Sequence, residues 1–117
     1  MHELGVAFHI VSEVDKVAEE NHVKQVKSVT LEIGEVSSVI PVYLQDVWKW
    51  AVDNRSKHMK GCELKIIVTK AVSYCTDCQK TYHTTEGKKC PYCGSDNTYL
   101  VTGNQTNIKD IEVVDEN

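Results

Sequence analysis

Four cysteines in two pairs, Cys75-Thr76-Asp77-Cys78 and Cys90-Pro91-Tyr92-Cys93, stand eleven residues apart in the second half of the chain. Each pair presents two thiolates from one tight turn, and the segment between them is long enough to bring the pairs together as facing knuckles. Four sulfur donors suit a tetrahedral ion such as zinc, and a closed four-sulfur shell leaves no position for water. The expectation is therefore a structural metal. Redox use of either pair lacks the helix-start context that activates a thiol. Zinc ribbons occur in proteins of many functions, so the pattern fixes a substructure without naming a job.

A lobe stapled in this way cannot bury enough apolar surface to fold by itself, and 117 residues leave room for one further modest core. Net charge is −4, so the chain lacks the positive field with which proteins approach nucleic acid or an anionic membrane. The start, Met1-His2-Glu3-Leu4-Gly5, has no basic flank leading into an apolar run, and no stretch approaches the length of a membrane span. A cytoplasmic protein acting without nucleic acid or membrane is expected. CxxC pairs in such a chain read as metal ligands before disulfides.

From Leu4 to about Glu20, the apolar positions Leu4, Phe8, Val11, Val14 and Ala18 recur at steps of three and four, predicting an amphipathic helix. Ser28 to Ile33 alternates, with Val29, Leu31 and Ile33 on one face, and Gly34 ends this strand. Pro41 suits a first helical position, and Leu44, Val47, Trp48, Ala51 and Val52 give the stripe of a second helix. Asn54 to Gly61 reads as a basic, polar loop. A second strand carries Leu64, Ile66 and Val68 on one face, and its long connection to the first allows the two to be parallel with a right-handed crossover. After the cysteine loop, Thr98–Thr102, the turn Gly103-Asn104 and Asn107–Val114 read as a terminal strand pair returning to the sheet. The fold class is α+β: two helices on a small mixed sheet, with the metal lobe inserted between strands. Its expected division is residues 1–71 and 97–117 for the α+β domain and 72–96 for the zinc-ribbon lobe.

The terminus offers a second kind of metal chemistry. A free amine, the His2 amide nitrogen and the His2 imidazole Nδ1 can close five- and six-membered chelate rings on one ion. Such rings suit square-planar Ni(II) or Cu(II) better than tetrahedral zinc. The bulky His2 leaves Met1 and its amine in place, because methionine removal ordinarily needs a small second residue. Cys62 reads as a small buried hydrophobe. His22 and His58 read as solvated loop residues, His9 as partly buried beside the helix stripe, and His83 as a surface residue between the knuckles. Iron competes for the four sulfurs, because Cys90-Pro91-Tyr92-Cys93-Gly94 resembles a rubredoxin knuckle.

The start Met1-His2-Glu3-Leu4, the strand end Ile33-Gly34-Glu35, the late paired CxxC motifs and Thr102-Gly103-Asn104 before a last strand together resemble the HypA/HybF family of nickel chaperones. The resemblance runs over essentially the whole length, and its specificity lies in the coincidence of a Met-His-Glu start with a late zinc ribbon. It implies a metallochaperone, not an enzyme, that binds Ni(II) as transient cargo and delivers it during [NiFe] hydrogenase maturation. Nickel would be held by Met1 through its amine, His2 through its amide and imidazole, and Glu3 through its backbone or carboxylate. Structural Zn(II) would be held by Cys75, Cys78, Cys90 and Cys93. The implied partners are a HypB-type GTPase and the hydrogenase large subunit, with the chain a monomer or homodimer. Two departures bear on this. The loop Val36-Ser37-Ser38-Val39-Ile40-Pro41 lacks the carboxylate some relatives place near nickel, and Gln79 and Gly94 stand where some relatives have zinc-exchanging histidines. The rival readings are a zinc-ribbon nucleic-acid or protein interaction module using Lys80, Tyr82, Lys88, Lys89 and Tyr92, and rubredoxin-like electron transfer.

Overall fold

The computed structural model describes residues 3–84 and 89–114. Element order is α1 (Glu3–Glu20), β1 (Val26–Gly34), α2 (Pro41–Arg55), β2 (Glu63–Thr69), β3 (Val72–Cys75), β4 (Lys80–His83), β5 (Thr98–Thr102) and β6 (Thr106–Val113). The strands form two three-stranded sheets, β2-β1-β6 and β4-β3-β5. In the first, β1 is parallel to β2, with Val29 beside Leu64 and Leu31 beside Ile66, and antiparallel to β6, with Val29 beside Ile111. The mixed sheet and the parallel pair follow the expectation.

Both helices lie on the β1 face that carries Val29, Leu31 and Ile33, and together they bury one core. The buried side of α1 is Ala7, Ile10, Val11, Val14 and Ala18. This corrects the expected stripe at its start, because Leu4 is exposed and Phe8 only half-buried. Phe8 turns sideways instead, its ring centroid 5.9 Å from that of Trp50, with the Arg55 guanidinium 4.7 Å over its face. The apolar arc of α1 is wide enough to touch both the sheet and α2, so two rows of residues compete for the inside.

Pro41 opens α2 as expected, and the helix buries Leu44, Trp48, Ala51 and Val52. Trp48 Nε1 donates to the Cys62 carbonyl at 2.9 Å, and Gln45 Nε2 to the Leu64 carbonyl at 2.9 Å. These ties fall at the start of β2. Val68, at its far end, lies beyond them and is 55% exposed despite sharing a face with Leu64. The loop after α2 is more ordered than its composition suggests. Asp15 of α1 accepts from Ser56 Oγ at 2.7 Å and from the Lys57 and His58 amides, and Met59 is fully buried. Cys62 is buried, and burial pushes its thiol up to about 11.

The expected terminal strand pair does not form. Thr98–Thr102 pairs with β3 in the cysteine-bearing sheet, whereas Thr106–Val113 pairs with β1, so the turn at Gly103 passes between sheets instead of closing a hairpin. Gly103 has φ +111 and a Cβ on it would overlap Ala71, while a Cβ at Gly34 would overlap the Gly103 carbonyl. Only a bare backbone fits this crossing. The Gly34→Ala variant is expected to lose about 2 kcal/mol or more of stability, in the range of overpacked sites, read as a lowered urea midpoint at fixed metal content.

His58 is not the solvated residue expected from its loop. Its Nε2 meets Glu19 Oε2 at 2.7 Å and its Nδ1 the Lys24 carbonyl at 3.2 Å. With an acceptor at each nitrogen, the charged ring is favoured: hydrogen bonding to Glu19 and then to Lys24 raises the His58 pKa above 6.5, and the same bond lowers Glu19 below 4.5. The stabilisation from His58 is thus fully present below pH 6.5 and lost as pH rises through the raised value. That from Glu19 is present above 4.5 and lost as pH falls through the depressed one. His58→Gln should therefore cost more stability at pH 5.5 than at pH 8.5, measured by urea unfolding at both; an equal cost at the two values would contradict the pairing.

Candidate metal sites

The two cysteine pairs are shaped by the same local geometry. Cys75 ends β3, and the Gln79 amide donates back to the Cys75 carbonyl at 2.9 Å; likewise the Gly94 amide donates to the Cys90 carbonyl at 2.8 Å. The residue following each pair takes a left-handed φ, 58° at Gln79 and 74° at Gly94. Glycine does this freely, but Gln79 bears a steric cost of about 1–2 kcal/mol, and nothing in its identity announces the turn. Segment 95–97 then binds the knuckles together. Asp77 accepts from Ser95 Oγ and from Asn97 Nδ2, the Thr76 amide and hydroxyl both donate to the Asn97 carbonyl, and the Cys90 amide donates to Ser95.

As a result, the sulfurs of Cys75, Cys78, Cys90 and Cys93 all lie within 4.8 Å of one another. Cys75 and Cys93 are 3.6 Å apart, as are Cys78 and Cys90. Those spacings are far too long for a disulfide of about 2.05 Å and close to the edge of about 3.8 Å that a tetrahedron with 2.3 Å zinc–sulfur bonds requires. The donor set therefore fits the ion that the spacing suggested. Burial pushes the Cys78 thiol up to about 12, reinforced by bonds to the other sulfurs. At Cys90 burial acts in the same direction, but the Cys93 and Tyr92 amides donate to its sulfur and carry it down to about 7. Four such groups do not ionise together unless a cation enters, whose charge reverses that order.

His83 lies outside this cluster. It is on β4, and its Nε2 meets Glu35 Oε1 at 2.7 Å. The same oxygen accepts from the Ala71 amide at 3.0 Å, and that bond first, then His83, holds the Glu35 carboxyl below its usual range. The sequence places Glu35 after a strand-ending glycine, in a stretch shared with the family, and Asp77 inside a CxxC turn, without announcing the bonds they make, and Asp15 carries no such signal. His9 is exposed, not partly buried as expected. Lys80 sits 5.0 Å over the Tyr92 ring, so part of the basic-aromatic cluster is paired with itself.

Of the terminal chelate, Met1 and His2 lie outside the described residues. Glu3 opens α1, and its Oε2 accepts from the Ile40 amide at 3.3 Å, which places the first turn of α1 beside the start of α2. A cavity of about 370 Å³ lies next to it, walled by Gly5, Val6, His9, Ser37, Val39 and Thr106 among others. No helix among the described residues is long and apolar enough to cross a membrane.

Comparison with known proteins finds matches over nearly the whole chain. The family model described as "Hydrogenase/urease nickel incorporation, metallochaperone, hypA" matches residues 1–113. The hydrogenase maturation factor HypA of Actinobacillus succinogenes is 34% identical over 116 residues, spanning 97% of this chain and 99% of its own. The hydrogenase maturation factor HybF of Escherichia coli K12 is 30% identical over 114 residues, spanning 97% and 99% respectively. The solution structure of the Ni metallochaperone HypA from Helicobacter pylori shares the fold, with a TM-score of 0.72 at 23% identity, covering 99% of this chain and all of that one.

Replacing Cys90 by serine is expected to cut zinc affinity by more than about 100-fold, beyond what loss of an outer hydrogen bond to a ligand costs. The loss should disorder residues around both knuckles while leaving the helix-covered core folded. Zinc analysis with amide NMR checks this; full zinc content and an unchanged knuckle spectrum would contradict it. Acid should release the metal from the unmutated protein, since each thiolate must then be protonated.

Proposed function

The chain belongs to the HypA family of hydrogenase/urease nickel-incorporation metallochaperones, which are not enzymes, and we propose that it carries Ni(II) at its N-terminus and delivers it during [NiFe] hydrogenase maturation. The match over residues 1–113, which takes in both the Met1-His2-Glu3 start and the four cysteines, carries this reading. In it, the Met1 amine and the His2 amide and imidazole chelate the ion, and Glu3 adds its backbone or carboxylate. Zn(II) on Cys75, Cys78, Cys90 and Cys93 is resident and structural. We further propose a cytoplasmic location, a monomer or homodimer as the working form, and a nickel-binding part and a zinc-ribbon lobe that meet at 71/72 and, instead of the expected 96/97, at Gly103, because Thr98–Thr102 pairs with β3 in the cysteine-bearing sheet.

Any nucleotide hydrolysis belongs to a partner, proposed as a HypB-type GTPase, with the hydrogenase large subunit as recipient. Chemistry distinguishes the two metals. A tetrathiolate shell is closed and retains its ion, whereas a terminal chelate is open on at least one side and can pass its ion to incoming ligands. His2→Ala should abolish nickel binding with fold and zinc content intact. One residue added before Met1 should do the same, because it turns the amine into a far poorer amide donor. Nickel binding should weaken as pH falls, since protons compete with the ion for the amine and the imidazole. Calorimetry with Ni(II) on native, extended and His2→Ala proteins tests this; equal affinity in all three would remove the terminal site.

A further inference from the structure

The backbone passes between the two sheets twice, through Lys70-Ala71 and through Gly103-Asn104-Gln105. Among the described residues the halves share no apolar core. The hydrophobic cluster consists of residues from α1, β1, α2 and β2 and the segments joining them, whereas the buried residues from Ala71 onward are Ala71, Ser73, Cys75, Cys90 and the hinge glycine Gly103. What fixes the angle between the sheets is therefore the seam where they meet. Backbone bonds hold the two connections against the end of β1: Glu35 N to Thr69 O, Val36 N to Gly103 O and Gly34 N to Gln105 O, at 2.8–2.9 Å. These bonds grip the links near their roots, close to the Gly34–Gly103–Ala71 packing, and do not reach the far edge of the cysteine-bearing sheet.

The Glu35 side chain reaches further. Its Oε1 takes the Ala71 amide, in the first link, and the His83 Nε2, on β4, whose His83 pairs with Val72 at the start of β3. The carboxylate thus spans from the last turn of β1 across β3 to the edge strand. Val36 follows it into a cleft of about 320 Å³ walled by Ser73, Tyr82, Thr84 and Tyr99 of the cysteine-bearing sheet. We propose that the Glu35–His83 pair is a latch that sets the orientation of the cysteine-bearing sheet relative to the helix-covered sheet, across a hinge at Lys70-Ala71 and Gly103-Asn104. Breaking the latch leaves each half folded and frees the angle between them.

Residual dipolar couplings of backbone amides in the zinc-loaded, full-length chain test it. In the unmutated protein one alignment frame should fit both sheets. His83→Ala and His83→Phe should each need two frames, with unchanged zinc content and unchanged amide shifts away from the seam. The phenylalanine keeps a ring of similar size, so it separates the bond from simple bulk. Two frames in the unmutated protein, or a single frame in either variant, would overturn the proposal.

Discussion

Four sulfurs drawn to within 4.8 Å repel one another as thiolates and gain only weak hydrogen bonds as thiols, so a cation bound among them would stabilise the sheet β4-β3-β5. Among the described residues that sheet has almost no apolar interior, its buried residues being Ser73, Cys75 and Cys90 with Ala71 and Gly103 at the hinge. Each knuckle is closed by an amide returning to the first cysteine's carbonyl, and Asp77, Ser95 and Asn97 join the two. Polar bonds of this kind, half-exposed to water, contribute roughly 1 kcal/mol each at best. A metal held by four thiolates supplies far more, and in small zinc domains metal binding and folding are one equilibrium.

The helix-covered half is stabilised by different physics. There β1 is hydrogen-bonded on both sides, and Val29, Leu31 and Ile33 are fully or almost fully buried beneath two helices. Trp48 and Gln45 satisfy carbonyls at the start of β2, and Asp15 satisfies the amides at the end of α2, so the polar groups near this core are paired. The two halves can then respond independently to metal removal. Loss of the proposed zinc would act on one, and the other would keep its apolar burial, the main driving force of folding.

Much of this was legible in the sequence, for identifiable reasons. Alternation in Ser28–Ile33 and the Pro41-led stripe of α2 were clear because each element faces a single partner. The α1 stripe was misplaced at Leu4 and Phe8 because that helix meets two partners, and periodicity alone does not say which row goes underneath. The strands at Thr98 and Thr106 were found, but their pairing was not: a Gly-Asn turn favours a hairpin, and the Gly34–Gly103–Ala71 packing that redirects the chain is a contact between distant residues. Histidines are the least legible residues. His58 and His83 sit in polar stretches, and only the fold shows that each has a carboxylate 2.7 Å away. The sulfur cluster was the opposite case, because its ligands are local pairs whose spacing already encodes the turn.

The proposed nickel site stands at the start of an 18-residue helix, and that placement has an electrostatic consequence. A helix N-terminus carries a partial positive charge that disfavours a bound cation by about 0.3–1 kcal/mol. Glu3 in the first turn offsets this, but its carboxylate is also drawn to the Ile40 amide at the start of α2. A chelate there is consequently opposed by the backbone field and only partly compensated. For a resident metal such placement would be a defect. In the proposed carrier it would lower the affinity a recipient has to overcome, while short chelate rings and a deprotonated amide would still favour Ni(II) over Zn(II) during the time the ion is held.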